Sequence, residues 1–424
     1  MSEAAQATHS SPDGHIPQLR FPEFGKRWDK ETIGGISKIF GRIGYRGYTV
    51  QDIVSKGEGA IALSPSNFIN NQINTIKSTY ISWFKYEESP EIKILDGDIL
   101  FVKTGSTYGK TAFVSNIKEK ATINPQIVVL KNISISNKFL GYIVTTQTIK
   151  KQIEQIVVGG AIPTMSQKEL SKMEFSLPAK PEQQKIAAFL TAVDSKIEQL
   201  SKKKALLGEY KKGLMQQIFS QAIRFKADDG SDFPNWEEKK LGDVVSTPVS
   251  DGPHLTPKFV KQGVPFLSVN NLVESKIDFS NVRYISIDDH LVFSKKCKPK
   301  KGDVLLGKAA SVGKVAFVET DVEFNIWSPI AMIRPGNSNF SKYIYYCFQT
   351  RFILNQISKF TNSSSQGNIG MGDINKIIIK LPNKLEQTKI ANLLSSIDSK
   401  IEQVGKQLRE SKQFKKALLQ QMFV

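Results

Sequence analysis

The sequence predicts an α+β protein built as a pseudo-twofold internal repeat: two mixed α/β domains separated by two long helices that form an antiparallel coiled coil. Three observations predict it. The chain has 424 residues, 40% hydrophobic and 23% charged, enough for about two to three domains with real cores. Residues 138–220 align without a gap on residues 342–424, at an offset of about 204, with roughly 29 identities in 83 positions where chance gives a few. Each half ends in a long run of heptad-spaced apolar residues.

Taken in order, the first sixteen residues read as a flexible tail, and residues 17–176 as the first domain. Strand-like alternation marks 92–102 (IKILDGDILFV), 110–116 and 121–130, and 139–157 reads as helical, with a capping box from Ser166 to Glu169. Residues 177–220 form the central coiled-coil helix. Its seam is Ile186, Leu190, Val193, Ile197, Leu200, Leu207, Leu214 and Ile218, with polar gaps at Lys204 and Lys211 and Pro181 in the first turn. Residues 221–376 are a linker (RFKADDGSDFPN) followed by the second domain, with strands at 264–269, 302–306, 313–319 and 329–333. Residues 377–424 form the C-terminal coiled-coil helix, with a seam of Ile390, Leu394, Ile397, Ile401, Val404, Leu408, Leu418 and Met422.

Each helix is expected to cover about 40 residues, or roughly 60 Å. One such helix cannot bury its seam alone, so the two pair, antiparallel if the halves are related by a pseudo-twofold axis. Lys196, Lys202, Lys203, Lys204, Lys211 and Lys212 read as a solvated face. Phe189, Leu206, Met215 and Phe219 lie off the seam and offer apolar surface to another subunit. Between the repeated landmarks, residues 37–90 and 245–296 occupy equivalent places but share little sequence. A shared scaffold with divergent inserts implies two modules doing one job on two targets.

Lys and Arg total 58 against 40 Asp and Glu, a net charge of +18 and a pI near 9.5, which points to a polyanionic partner. Cys297 and Cys347 cannot build a disulfide framework, and His9, His15, His254 and His290 have no ligand spacing, so no structural metal is expected. No apolar run reaches the roughly 18 residues of a membrane helix, and the N-terminal residues lack signal-peptide character, so a cytoplasmic protein is expected. The nucleic-acid contacts are expected in two turns. In the first, Lys103, Gly105, Ser106, Tyr108 and Lys110 combine cations, a hydroxyl, an aromatic ring and backbone that can approach phosphates. In the second, Lys308, Ser311 and Lys314 stand in the same places, and the turn at Asp251-Gly252-Pro253-His254 adds His254.

Catalysis by the chain is not expected. GSTYGKT at 105–111 imitates a phosphate-binding loop but is one residue short between its glycines, and its repeat copy has Val315 at the metal-binding hydroxyl position. The Pro-Pro pair of an adenine-methylase motif is absent. Glu91-Ile92-Lys93 is too common a pattern to mark a nuclease, and no carboxylate cluster accompanies it.

QLRFPEFGKRW at 18–28, the GDIL and GDVL strands followed by a GK-containing turn, and the twice-occurring LP…EQ…KIA…L…D.KIEQ helix closely resemble the specificity subunit of type I restriction-modification enzymes. The resemblance covers nearly the whole chain. It implies a non-catalytic subunit with two target recognition domains held apart by the coiled coil, each reading one half of a bipartite, asymmetric site in double-stranded DNA. It also implies recruitment of two modification (methyltransferase) subunits, which use S-adenosylmethionine to methylate adenine N6. Restriction subunits would add ATP- and Mg2+-dependent translocation and cleavage, with no cofactor held by this chain and no membrane involved. The alternative is a stand-alone nucleic-acid-binding regulator or scaffold, which would bind its target tightly without a partner.

Overall fold

The computed structural model describes residues 16–156, 164–336, 338–362 and 367–424; the expected tail, except Ile16, lies outside them, with His9 and His15. The chain divides into two compact units, Met1–Ser201 with Lys406–Val424, and Lys202–Gly405. Both long helices are present, at Lys180–Phe219 and Lys384–Gln421, so each helix begins in one unit and ends in the other.

The helices start later than 177 and 377 because strands run up to them. Glu174–Leu177 pairs antiparallel with Asp29–Thr32, and Ile378–Leu381 with Glu237–Lys240. The β-branched run Ile377-Ile378-Ile379 suits a strand, and Pro178 and Pro382 end the two strands because proline cannot donate to the ladder. The expected helix at 139–157 breaks into Asn137–Ile143 and Gln147–Ile156. Between them the Thr145 and Thr146 hydroxyls each donate to a carbonyl three residues back at 2.7 Å, and such local bonds compete with a continuous helical ladder. Thr350 does the same at the equivalent break in unit 2. The capping box forms as expected, Ser166 N to Glu169 Oε2 at 2.7 Å and Glu169 N to Ser166 Oγ at 3.1 Å.

In unit 1 a six-stranded sheet runs in the order Lys38–Gly41, Ile127–Lys131, Ile99–Val102, Thr111–Phe113, Gln72–Ile73, Phe68–Ile69. Unit 2 repeats its first four strands with Ser250–Asp251, Ile330–Ile333, Val304–Gly307 and Val315–Phe317. A second sheet in each unit contains one parallel pair, Gly59–Leu63 with Ala121–Ile123 and Val264–Leu267 with Asn325–Ile326. The central strands read as unbroken apolar runs because both faces are covered. Ile99 and Phe101 enter a core shared with the helices, and Leu100 and Val102 enter a core beneath the second sheet. Val304 and Leu306 against Leu305 repeat that division.

The direction of the helices can be read inside each unit. In unit 1, Arg20 clasps Glu182 at 2.7 and 2.8 Å, its neighbour Leu19 donates to the Gln421 carbonyl at 2.9 Å, and Lys415 pairs with Asp194 at 2.6 Å. Advancing along the first helix therefore means retreating along the second. In unit 2, Trp236 donates to Glu386 at 3.1 Å and packs edge-on against Phe219 at 6.3 Å, while Lys211 pairs with Asp398 at 2.7 Å. The same opposed direction results. Of the expected seam, Ile186, Leu190, Leu200, Ile390, Leu394, Ile397 and Val404 are buried, and Val193, Ile197 and Ile401 are half-buried. The polar gap at Lys211 is no solvated position: its ammonium meets Asp398 and lies over the Tyr346 ring at 5.1 Å.

Three of the four apolar residues expected to face a subunit are instead part of the units. Phe189 packs on Phe21 at 5.8 Å, and Met215 and Phe219 join the unit 2 core. They lie off the seam because each helix must also bury a second stripe against the sheet domain that it carries. Leu206 remains 53% exposed.

Candidate nucleic-acid interface

The turn at 103–110 is a tight β-connection. Gly105 and Gly109 adopt φ of +100° and +79°, the left-handed region that glycine enters without steric cost. Gly109 N donates to Val102 O at 3.0 Å and Val102 N to Lys110 O at 2.8 Å, closing the turn onto its own strands. The equivalent turn closes through Gly313 N to Gly307 O at 2.9 Å and Gly307 N to Lys314 O at 2.7 Å. The first turn leads into the strand Thr111–Phe113, not into a helix. A phosphate-binding loop needs the helix N-terminus, so that reading is excluded by geometry.

Both turns leave their sheets beside the same landmarks. Lys103 N donates to Gln126 O at 2.8 Å and Lys103 O accepts from Met165 N at 2.8 Å; Lys308 N donates to Pro329 O at 2.8 Å and Lys308 O accepts from Ile369 N at 2.9 Å. Ser106, Lys110 and Lys314 are exposed, and Lys103, Gly105 and Ser311 are half-buried. Two expected contacts take other places. The Tyr108 ring packs against the unit 1 core with its hydroxyl buried, and burial, with Glu169 nearby, raises its pKa. It anchors the turn, because its ring covers apolar surface that the turn would otherwise expose. Lys308 has only 13% of its side chain exposed and reaches inward to Asp251 Oδ2 at 3.0 Å.

Asp251, legible in the sequence only as the first residue of a turn, is the ionic centre of this region. Its carboxylate is almost fully buried and gathers Lys296 at 2.5 Å, Lys308 at 3.0 Å and His254 Nε2 at 3.3 Å. Burial acts to raise its pKa, but the hydrogen bonds and charges of Lys296 and Lys308 outweigh burial and hold it below the usual carboxylate range. Two of the sequence-predicted residues, His254 and Lys308, are thus brought together on one anion, with Lys296 added. His254 remains 70% exposed.

The strand register gives the matching position in unit 1. Val128 stands opposite Gly41 and Phe101, and Ala331 opposite Asp251 and Leu306, so Gly41 answers Asp251 and Arg42 answers Gly252. A Cβ at Gly252 would collide with the Ile326 carbonyl. At the equivalent carbonyl, Ile123 O, Arg42 Nε donates at 2.9 Å. From this point residues 41–48 run G-R-I-G-Y-R-G-Y. Arginine and tyrosine alternating with glycine is a nucleic-acid-binding composition, so the signal was present in the sequence.

Among the described residues no group of three or more His, Cys, Asp or Glu could hold a metal ion, and no helix is long and apolar enough to cross a membrane. Glu91 faces Arg46 at 3.5 Å and Ile92 is fully buried, which leaves the E-x-K pattern in structural use.

Repeated modules that carry basic turns at equivalent sheet ends define the class: a protein built from two copies of one basic module. The family model described as the type I restriction modification DNA specificity domain matches residues 26–208 and again 234–410. The chain belongs to this family and carries its domain twice. The type I restriction enzyme MjaVIII specificity subunit of Methanocaldococcus jannaschii is 25% identical over 343 residues, 78% of this chain and 79% of that one. The MjaIX specificity subunit of the same organism is 27% identical over 301 residues, 67% and 68% of the two chains. The S subunit of a type I restriction-modification system from M. genitalium shares the fold, with a TM-score of 0.62 over 96% of this chain and 99% of that one at 15% identity. Family membership makes this chain a DNA-recognition subunit, not a catalytic one, and does not favour a stand-alone regulator or scaffold.

Proposed function

We propose that each unit reads one half of a bipartite, asymmetric site in double-stranded DNA, and that the paired helices set the unspecified spacer between the halves. Lys103, Ser106 and Lys110 serve the first half-site, with the Gly105 backbone; His254, Lys296, Ser311 and Lys314 serve the second. Lys308 and Tyr108 hold the turns from beneath. Exposed lysines supply phosphate contacts, which position the protein without reading sequence. The chain brings two modification subunits to the site for adenine N6 methylation with S-adenosylmethionine, and restriction subunits add ATP- and Mg2+-dependent cleavage in the cytoplasm.

One observation carries this reading: the same closed basic turn recurs at the same sheet end in two units whose inserts differ. Related modules that read different sequences need that combination of fixed frame and free surface. The test is to map adenine methylation in a methylation-free host expressing this chain with and without its modification subunit. A split, asymmetric motif that requires both chains is the expected result. An assembled complex that leaves no methylated motif overturns the reading.

A further inference from the structure

We propose that residues 42–48 form a base-reading loop of unit 1, with Tyr45 and Arg46 as specificity-determining residues. The inference rests on the DNA-recognition reading above and adds a site to it.

The loop leaves the strand Lys38–Gly41 at the end where the basic turn leaves Ile99–Val102. Both strands flank Ile127–Lys131, with Gly41 opposite Val128 and Val102 opposite Ile127. Loop and turn therefore emerge side by side from one sheet end, as the 251–254 turn and Lys308 do in unit 2, where Asp251 joins them directly. A loop so placed faces whatever the turn faces.

Its anchor is Arg42, which is 5% exposed. The guanidinium makes three hydrogen bonds, to Ile123 O at 2.9 Å, Thr122 Oγ1 at 3.0 Å and Arg46 O at 3.1 Å. All three acceptors are neutral. A buried cation without a directly bonded carboxylate is costly, and here it fixes the Gly44–Arg46 turn from behind, since Arg46 O is one of its acceptors. That turn carries little into the core. Tyr45 is 79% exposed, and Arg46 lies over its ring at 5.5 Å while its Nη1 is 3.5 Å from Glu91.

An anchored loop with an exposed aromatic ring and a half-buried guanidinium at a sheet end of a basic domain has the chemistry of base recognition. An arginine reads guanine in the major groove through its paired donors, and a tyrosine packs against a base edge or a splayed base. The weak contact to Glu91 leaves the Arg46 donors available for exchange. Because Arg42 has prepaid the loop's ordering, binding loses less entropy there.

The test expresses the full chain and its modification subunit in a methylation-free host and maps adenine methylation for wild type, Arg46→Ala and Tyr45→Ala. One half of the motif should become degenerate, with about a tenfold to hundredfold loss of discrimination at one or two bases, while the other half stays unchanged. The degraded half must be the one that moves when residues 37–90 are exchanged. Tyr45→Ala removes a side chain outside the core, so it reports on recognition even where Arg46→Ala weakens folding. Unchanged halves in both variants, or degradation of the unit 2 half, overturn the inference. A wild-type complex that produces no split motif defeats the parent reading instead, which separates the two failures.

Discussion

Asp251 shows how a single residue can reverse the role of another. From sequence, Lys308 is a lysine in a glycine-bearing turn and reads as a solvated contact. Its partner stands on a strand distant in the chain, and only the antiparallel pairing of Asp251 with Ala331, next to Leu306, brings the two together. Asp251→Asn should lower stability by about 1–3 kcal/mol, the usual loss for buried hydrogen bonds to charged groups. The pH dependence follows from the direction of its shift. A carboxyl held below its ordinary range in the folded state contributes stability that is present above the unfolded value and lost as pH falls through the folded one. Urea unfolding should therefore show the wild type ahead at pH 7 and the gap closing below about pH 4; a constant gap counts against the ion cluster. Glu386 is a second case. It is fully buried and accepts from both Arg224 and Trp236, so Glu386→Ala should cost about 1.5–3 kcal/mol, the usual worth of hydrogen bonds to a charged group, because Arg224 keeps access to water. The loss should appear as a lower midpoint of urea unfolding followed by circular dichroism, and an unfolding midpoint matching the wild type contradicts it.

At the scale of elements, the repeat was legible wherever it is carried by apolar periodicity and shared motifs: the long helices, the central strands and the GK turns. The inserts at 37–90 and 245–296 were not, although several of their turns repeat. Ser64 and Asn67 form a turn with Ser64 N to Asn67 Oδ1 at 2.9 Å, and Ser268 and Asn271 repeat it at 2.9 Å. Each leads into a hairpin whose two central residues both have positive φ, Asn70 and Asn71 in one, Glu274 and Ser275 in the other. Asn-Asn suits that turn, but Glu-Ser does not advertise it, so the second hairpin has no local signature. Gly59 and Gly263 likewise stand where a Cβ would collide with a cross-strand carbonyl, Ile81 O or Ile285 O. Such frames depend on a few backbone-binding residues, and everything else in the insert is free to vary. The helices allow a separate prediction. Inserting four residues near Lys203 adds about 6 Å, close to two base pairs. Methylation mapping should then show a longer spacer with both half-sites intact; altered half-sites at an unchanged spacing contradict the helices as the ruler.

For the whole molecule, the net charge of +18 supplies sequence-independent affinity that salt should weaken steeply. Lys110→Ala and Lys314→Ala remove exposed cations from the two turns, and each should lower the salt slope of DNA binding by about 1 without changing the methylated motif. A changed motif would assign these lysines to bases and not to phosphates. Two modules on one scaffold should read their two half-sites independently, and this independence can be measured. It is tested most directly by exchanging residues 37–90 or 245–296 for the insert of a relative with a different target and mapping adenine methylation by the assembled complex. Each exchange should change one half of the split motif and leave the other half and the spacing as they were. A single exchange that alters both halves together would contradict that independence.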